Sequence, residues 1–145
     1  MLQGPTGTGK TYLACAAAKA ARRRRMRACY IRCPDLEELW REARERPGGE
    51  RKATRKYAAF QVLVLGGRLL DRPAELFRGF LLELMEARYG TASTVFCTQF
   101  RQKDWHARLG GGVHADAIMD RIVHGAAWVG MGEMNMRRKL GGDSG

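Results

Sequence analysis

Hydrophobic and polar positions along the chain alternate between two periods, and the alternation predicts the order of elements. Ala28 to Cys33 reads as a strand with Cys29, Ile31 and Cys33 on one side and Tyr30 and Arg32 on the other. Val62 to Leu65 is a continuous apolar run, as expected of a strand covered on both faces in a parallel sheet. Ser93 to Gln99 and Ala127 to Met131 supply two more short strands. Helical spacing fills the intervals. Thr11 to about Arg25 is rich in Ala. Pro34 closes a strand, and Asp35 with Glu38 three positions on suggests a capping box for a helix that turns Leu36, Leu39, Trp40 and Ala43 inward and stops at Pro47-Gly48-Gly49. Glu50 to Tyr57 is a short exposed helix or loop. Asp71 and Pro73 open a helix whose stripe is Leu76, Phe77, Phe80, Leu81, Leu84 and Met85, closed at Gly90. Phe100 to Gly112 reads as a loop or short helix, and Ala115, Ile118, Met119 and Ile122 give a last helix ending near Gly125. Strands alternating with helices predict an α/β fold built on a parallel, doubly covered sheet.

Composition narrows the class. A chain of 145 residues with 45% hydrophobic content is one folded domain rather than a disordered segment. No run of about 18 apolar residues offers a membrane span, and no apolar signal segment opens the sequence, so the expected location is cytoplasmic. Cys15, Cys29, Cys33 and Cys97 form no C-x-x-C pair and are expected as buried thiols. His106, His114 and His124 lack metal-ligand spacing. The net charge of +11 and pI near 10.2 change the picture more. Arg22, Arg23, Arg24, Arg25 and Arg27, then Arg51, Lys52, Arg55 and Lys56, then Arg137, Arg138 and Lys139 form three basic clusters. Together they predict attraction to a nucleic-acid phosphate backbone.

The most specific chemistry lies in Gly4-Pro5-Thr6-Gly7-Thr8-Gly9-Lys10-Thr11, which fits G-x-x-x-x-G-K-[ST]. Gly4, Gly7 and Gly9 let the backbone wrap a phosphate and aim its N–H groups inward. Lys10 brings a point charge to the β and γ phosphates of ATP, and the Thr11 hydroxyl is placed to ligate Mg²⁺. The helix opening at Thr11 and Tyr12 turns its positive end to the same anion. The nucleotide-binding stretch is therefore Gly4, Pro5, Thr6, Gly7, Thr8, Gly9, Lys10, Thr11 and Tyr12. A loop of this kind follows a strand, yet only Met1-Leu2-Gln3 precede it, so the first strand is expected to be short or missing, and central in the sheet.

The phosphate loop, the stretch Tyr57 to Asp71, the strand Ser93 to Gln99 and the segment Ala115-Asp116-Ala117-Ile118-Met119-Asp120-Arg121-Ile122-Val123-His124 resemble the IstB-like transposition helper ATPases, AAA+ proteins related to the DnaC helicase loaders. The resemblance implies a P-loop NTPase three-layer sandwich over residues 1–140, without the family's amino-terminal extension and followed by a disordered tail at 141–145. It implies an ATP-dependent homo-oligomer on double-stranded DNA that assists a transposase. By matching positions, Thr98 and Gln99 would be the polar sensor on the γ-phosphate side and Arg121 an arginine finger reaching a neighbouring subunit, with Arg137 a weaker match to a second sensor.

One position departs from that family. Its apolar strand ends in a carboxylate that holds Mg²⁺ and a second acidic residue that orients the attacking water, the Walker B pair. Here Leu63-Val64-Leu65 is followed by Gly66-Gly67. Loss of a general base alone removes about 10² to 10⁴ in rate, whereas phosphate binding needs only backbone N–H groups and Lys10. Three readings follow: an AAA+ helper with impaired hydrolysis, a non-hydrolysing assembly module for a transposase or helicase, and a small-molecule phosphotransferase. Making Gly66 and Gly67 both acidic is expected to recover turnover.

Overall fold

In the computed structural model, the residues described are 1–67, 74–133 and 136. Five strands, β1 (Leu2–Gln3), β2 (Ala28–Arg32), β3 (Val62–Gly66), β4 (Ser93–Thr98) and β5 (Val129–Gly130), form one sheet in the order β2-β3-β4-β1-β5. Every pairing is parallel. The first strand is short and central, as expected. Leu2 pairs with Cys97 on one side and Val129 on the other, and bonds from Val129 N–H to the Met1 carbonyl (2.8 Å) and Met131 N–H to the Gln3 carbonyl (2.8 Å) prolong the ladder.

Two helical layers cover the sheet. On one face lies α1 (Lys10–Arg23). Its buried side chains are Ala14, Ala18 and Ala21, which recur every three or four residues and are small enough to bring the helix close to Leu2, Ala28, Val64 and Cys97. The other face carries α2 (Cys33–Arg44), α3 (Gly49–Ala58), α4 (Glu75–Arg88), α5 (Trp105–Arg108) and α6 (Gly112–Ile118), the last running into a π turn at Met119–Val123. Leu63, Leu65 and Phe96 point to that side and meet Leu36, Trp40, Phe77, Leu84 and Ile118. Trp40 packs against Phe77 and Phe80, each at 5.6 Å between ring centres. Val64 on one face and its neighbours Leu63 and Leu65 on the other make β3 apolar throughout, which is the signature of a strand buried on both sides.

Several expectations are corrected. Cys33 lies in α2, not on the strand, because Pro34 is pre-set for a first helical turn and pulls the helix start back to it; Arg32 stands extended at the cap. Asp35 therefore sits inside the first turn, where it favours the helix dipole, and no side-chain capping bond forms. Leu39 and Leu76 are 44% and 62% exposed, since Leu36 with Trp40, and Phe77 with Leu81, already fill the inward faces of their helices. Glu50 to Tyr57 is helical. Gly48 (φ 70°) reverses the chain before it, and a Cβ on Gly49 would lie inside the Ala43 carbonyl, at 1.8 Å. The interval Phe100 to Gly112 holds a 3₁₀ turn at Gln102–Asp104 and α5, with Trp105 buried edge-on against Phe96 and Trp128. Asp71, Pro73, Arg137, Arg138, Lys139 and the tail 141–145 lie outside the described residues.

No disulfide joins the four cysteines; Cys33 and Cys97 are buried, Cys15 and Cys29 half-buried. Burial pushes the Cys33 thiol up to about 12, so at pH 8 only about 10⁻⁴ of it is thiolate, the reactive form. A disulfide-exchange reagent at pH 8 should modify Cys33 only on the timescale of unfolding, and fast labelling of Cys33 in the native protein would contradict its placement at the start of α2.

Candidate functional site

The loop between β1 and α1 is built by backbone geometry. Gly4 leaves the strand with its N–H on the Thr98 carbonyl (3.1 Å), and a Cβ there would stand 2.9 Å from the Thr8 hydroxyl. Gly7 (φ 88°) and Gly9 (φ 90°) take the left-handed conformation that L side chains avoid. The buried Thr8 hydroxyl donates to the Pro5 carbonyl (2.8 Å), and the Met136 N–H donates to the Gly7 carbonyl (2.8 Å), which closes the loop from outside. Lys10 folds its ammonium into this ring, donating to the carbonyls of Gly4 (2.5 Å) and Pro5 (2.8 Å), and partial burial lowers its pKa from the usual lysine value. At α1 there is no side-chain cap and no acidic residue in the first turn. The positive end of the helix is thus uncompensated where an anion would sit. Tyr12, the last residue of the stretch, is 83% exposed.

Of the sensor pair, Gln99 is the residue that faces the loop, its Oε1 accepting from the Thr6 hydroxyl at 3.3 Å. Thr98 is buried, and its hydroxyl accepts from the Phe100 N–H (3.0 Å), bracing the turn after β4. Arg121 stands elsewhere. It is exposed, with its guanidinium 5.6 Å from the Tyr89 ring centre at the end of α4. The neighbouring carboxylates are engaged by histidines, Asp116 with His106 (2.7 Å) and Asp120 with His124 (3.7 Å). Arg121 therefore presents a cation on the outer surface of its own chain.

Tyr30 was not singled out by the sequence. β2 pairs with β3 so that Tyr30 is level with Val64, two residues before Gly66 and on the same face. From there the ring reaches over Gly66: a Cβ on Gly66 would lie 2.8 Å from both Tyr30 Cε2 and the phenol oxygen. Burial raises the phenol's pKa above the usual tyrosine value, outweighing the lowering effect of the nearby Thr11 side chain, so it stays a neutral O–H. Gly67 (φ 76°) is left-handed and faces Arg32 and Pro34. Acidic residues at 66 and 67 meet obstacles here, since a carboxylate at 66 needs the Tyr30 ring to leave and one at 67 needs an unfavourable backbone.

The loop fits a triphosphate: open N–H groups, a positive helix end and one lysine. The fit to Mg²⁺ is poor. Magnesium takes six oxygens and is usually bound through one or two carboxylates as well as phosphates. Here the described residues offer the Thr11 hydroxyl, and none of them places a carboxylate at the end of β3.

The sequence pattern of the IstB-like ATP binding proteins matches residues 1–143. The chain belongs to that family. An insertion-sequence ATP-binding protein of Sinorhizobium fredii is 38% identical to this IstB-like chain over 137 residues, 93% of the chain and 54% of the relative. That of IS232 from Bacillus thuringiensis is 31% identical over 139 residues, 94% of the chain and 54% of the relative. The chain thus spans about half the length of the curated relatives it matches. Among solved structures, AMPPCP-bound DnaA from Aquifex aeolicus superposes with a TM-score of 0.77 at 19% identity, covering 98% of this chain and 42% of that one. The DnaC helicase loader does so at 0.70 and 23%, covering 89% and 75%. The IstB-like chain has the AAA+ P-loop NTPase fold, with an all-parallel sheet.

Proposed function

We propose that this IstB-like chain binds ATP and double-stranded DNA as a homo-oligomeric, cytoplasmic helper for a transposase, and that its hydrolysis is impaired. The observation that carries the reading is an intact phosphate loop facing a strand end, Gly66-Gly67, that has no carboxylate. Gly4 to Tyr12 hold the nucleotide, Gln99 with Thr98 behind it reads the γ-phosphate side, and Arg121 acts in trans on a neighbour's nucleotide. Exposure of Arg121, away from its own loop, supports that last role. The names of the relatives, ATP-binding proteins of insertion sequences, support transposition.

DNA is met at the opposite end of the sheet. Arg22 and Arg23 end α1 and Arg24, Arg25 and Arg27 lie between it and β2, at the edge where the strands begin; all five are exposed, and the Arg22 guanidinium also donates to the Ala28 carbonyl (3.0 Å). A second reading, a non-hydrolysing assembly module of the helicase-loader sort, is favoured by Tyr30 lying where the Walker B side chain would stand.

Separate titrations of ATP and of duplex DNA test the proposal. Both should bind, with the DNA constant falling at least about 10³-fold between 50 and 200 mM salt, and ATP turnover should be about 10² to 10⁴ below that of a relative with both carboxylates. Flat salt dependence rejects the basic surface. Turnover equal to such a relative's rejects impaired hydrolysis.

A further inference from the structure

The corner of the site between α1 and β3 holds a tyrosine where a P-loop ATPase keeps its metal-binding carboxylate, and the consequences are electrostatic. A carboxylate there serves two purposes: it accepts from the loop threonine and it adds the negative charge that draws a divalent cation. Tyr30 cannot do the second. Its ring fills the volume above Gly66, with the phenol oxygen 2.8 Å from where a Cβ would stand, and it brings no charge. The thiols beside it add none either: burial raises the Cys97 thiol's pKa, and the Cys97 Sγ lies 3.9 Å from the Lys10 carbonyl. Among the described residues, with Arg32 beside Gly67 at the strand end, the loop itself carries the Lys10 ammonium and the uncapped end of α1. Both attract phosphate directly.

We propose that Tyr30 closes the metal corner, its uncharged ring standing where the metal-binding carboxylate would, so that the loop takes the triphosphate of ATP without a divalent cation. The proposal rests on nucleotide binding at the loop, as inferred above. Ordinarily Mg²⁺ offsets repulsion between the triphosphate and the acidic pair. With no acidic pair at 66 and 67, the described residues around the loop present positive potential to the free tetra-anion, and the cation has little left to neutralise.

The test is the ATP dissociation constant by calorimetry on the whole chain, in excess Mg²⁺ and in EDTA. The native chain should show less than about a 3-fold difference, whereas Tyr30→Ala with Gly66→Asp, which makes room for a carboxylate and supplies one, should bind at least about 10-fold tighter with Mg²⁺. Tyr30→Phe keeps the ring and loses only the hydroxyl, so its affinity should be as indifferent to Mg²⁺ as the native chain's, with an unchanged melting temperature. A native chain that binds 10-fold tighter with Mg²⁺, or a double variant as indifferent to it as the native chain, overturns the proposal. Absence of ATP binding in both buffers overturns the nucleotide reading beneath it. The packing is checked without nucleotide: Gly66→Ala should lower the melting temperature, and adding Tyr30→Ala should relieve that loss. Additive losses would mean that Tyr30 does not occupy the space above Gly66.

Discussion

Replacing Arg88 by Met is expected to lower stability by about 3–5 kcal/mol, enough to unfold much of the population of a domain of ordinary stability. Arg88 ends α4 and is 1% exposed. Among the described residues no carboxylate partners it. Its guanidinium instead donates to five oxygens: Nε to the Thr94 hydroxyl (2.9 Å), one terminal nitrogen to the carbonyls of Tyr57 (2.9 Å), Ala58 (3.3 Å) and Phe60 (2.5 Å), and the other to the Ser93 carbonyl (2.7 Å). Those carbonyls belong to the last turn of α3 and to the chain entering β3 and β4, so one side chain ties a helix end to two strand starts. The negative end of α3 supplies part of the compensation that a counter-ion would give. Met fills similar volume but leaves these oxygens without their donor; the Tyr57 carbonyl is buried and the other four are partly buried, so the cost of about 1–3 kcal/mol for a fully buried unbonded oxygen applies to them only in part. Lys should also be destabilising, since one ammonium cannot reach an arc of acceptors matched to a planar fork. Urea unfolding of the native chain, Arg88→Met and Arg88→Lys checks this, and a Met variant within about 0.5 kcal/mol of native would show that the network contributes nothing net.

Arg88 and Tyr30 also show where reading along the chain stops. The phosphate loop, the Ala stripe of α1 and the apolar run of β3 were legible because each is local: spacing within about ten residues fixes the turn, the helix face or the strand. Absence of the acidic pair was equally legible at Gly66-Gly67. What fills the vacated volume was not, because Tyr30 reaches Gly66 through the register of β2 on β3, across 36 positions of sequence. Arg88 reads as an ordinary basic residue near a helix end until Tyr57 and Phe60 are brought beside it. The capping box at Asp35 failed for a different reason, a local contest that Pro34 won. Gln99 facing Thr6 follows from a parallel alignment of β4 beside β1, for which the two residues of β1 carried almost no signal.

Lys10→Ala is expected to weaken ATP binding about 100-fold while leaving DNA affinity and its salt slope unchanged. In the absence of nucleotide, Lys10 is held by the carbonyls of Gly4 and Pro5, inside the ring that the phosphates would enter. With nucleotide bound it would turn to the phosphate oxygens, and a charge-assisted hydrogen bond of that kind is worth about 1.5–3 kcal/mol, or roughly 10- to 150-fold. The upper part of that range is expected because Lys10 is the cation held inside the loop itself, beside the uncapped helix end. Stability should change little, since Lys10 is only partly buried and its two bonds go to loop carbonyls that water can reach in its place. DNA binding is separable on geometry: α1 is 14 residues long, about 20 Å at 1.5 Å per residue, and the basic cluster lies at its far end. Parallel titrations of the native chain and Lys10→Ala with ATP and with duplex DNA decide the matter. Equal loss of both ligands would mean that nucleotide and DNA share one surface, and an undiminished ATP affinity would move the nucleotide away from the loop altogether.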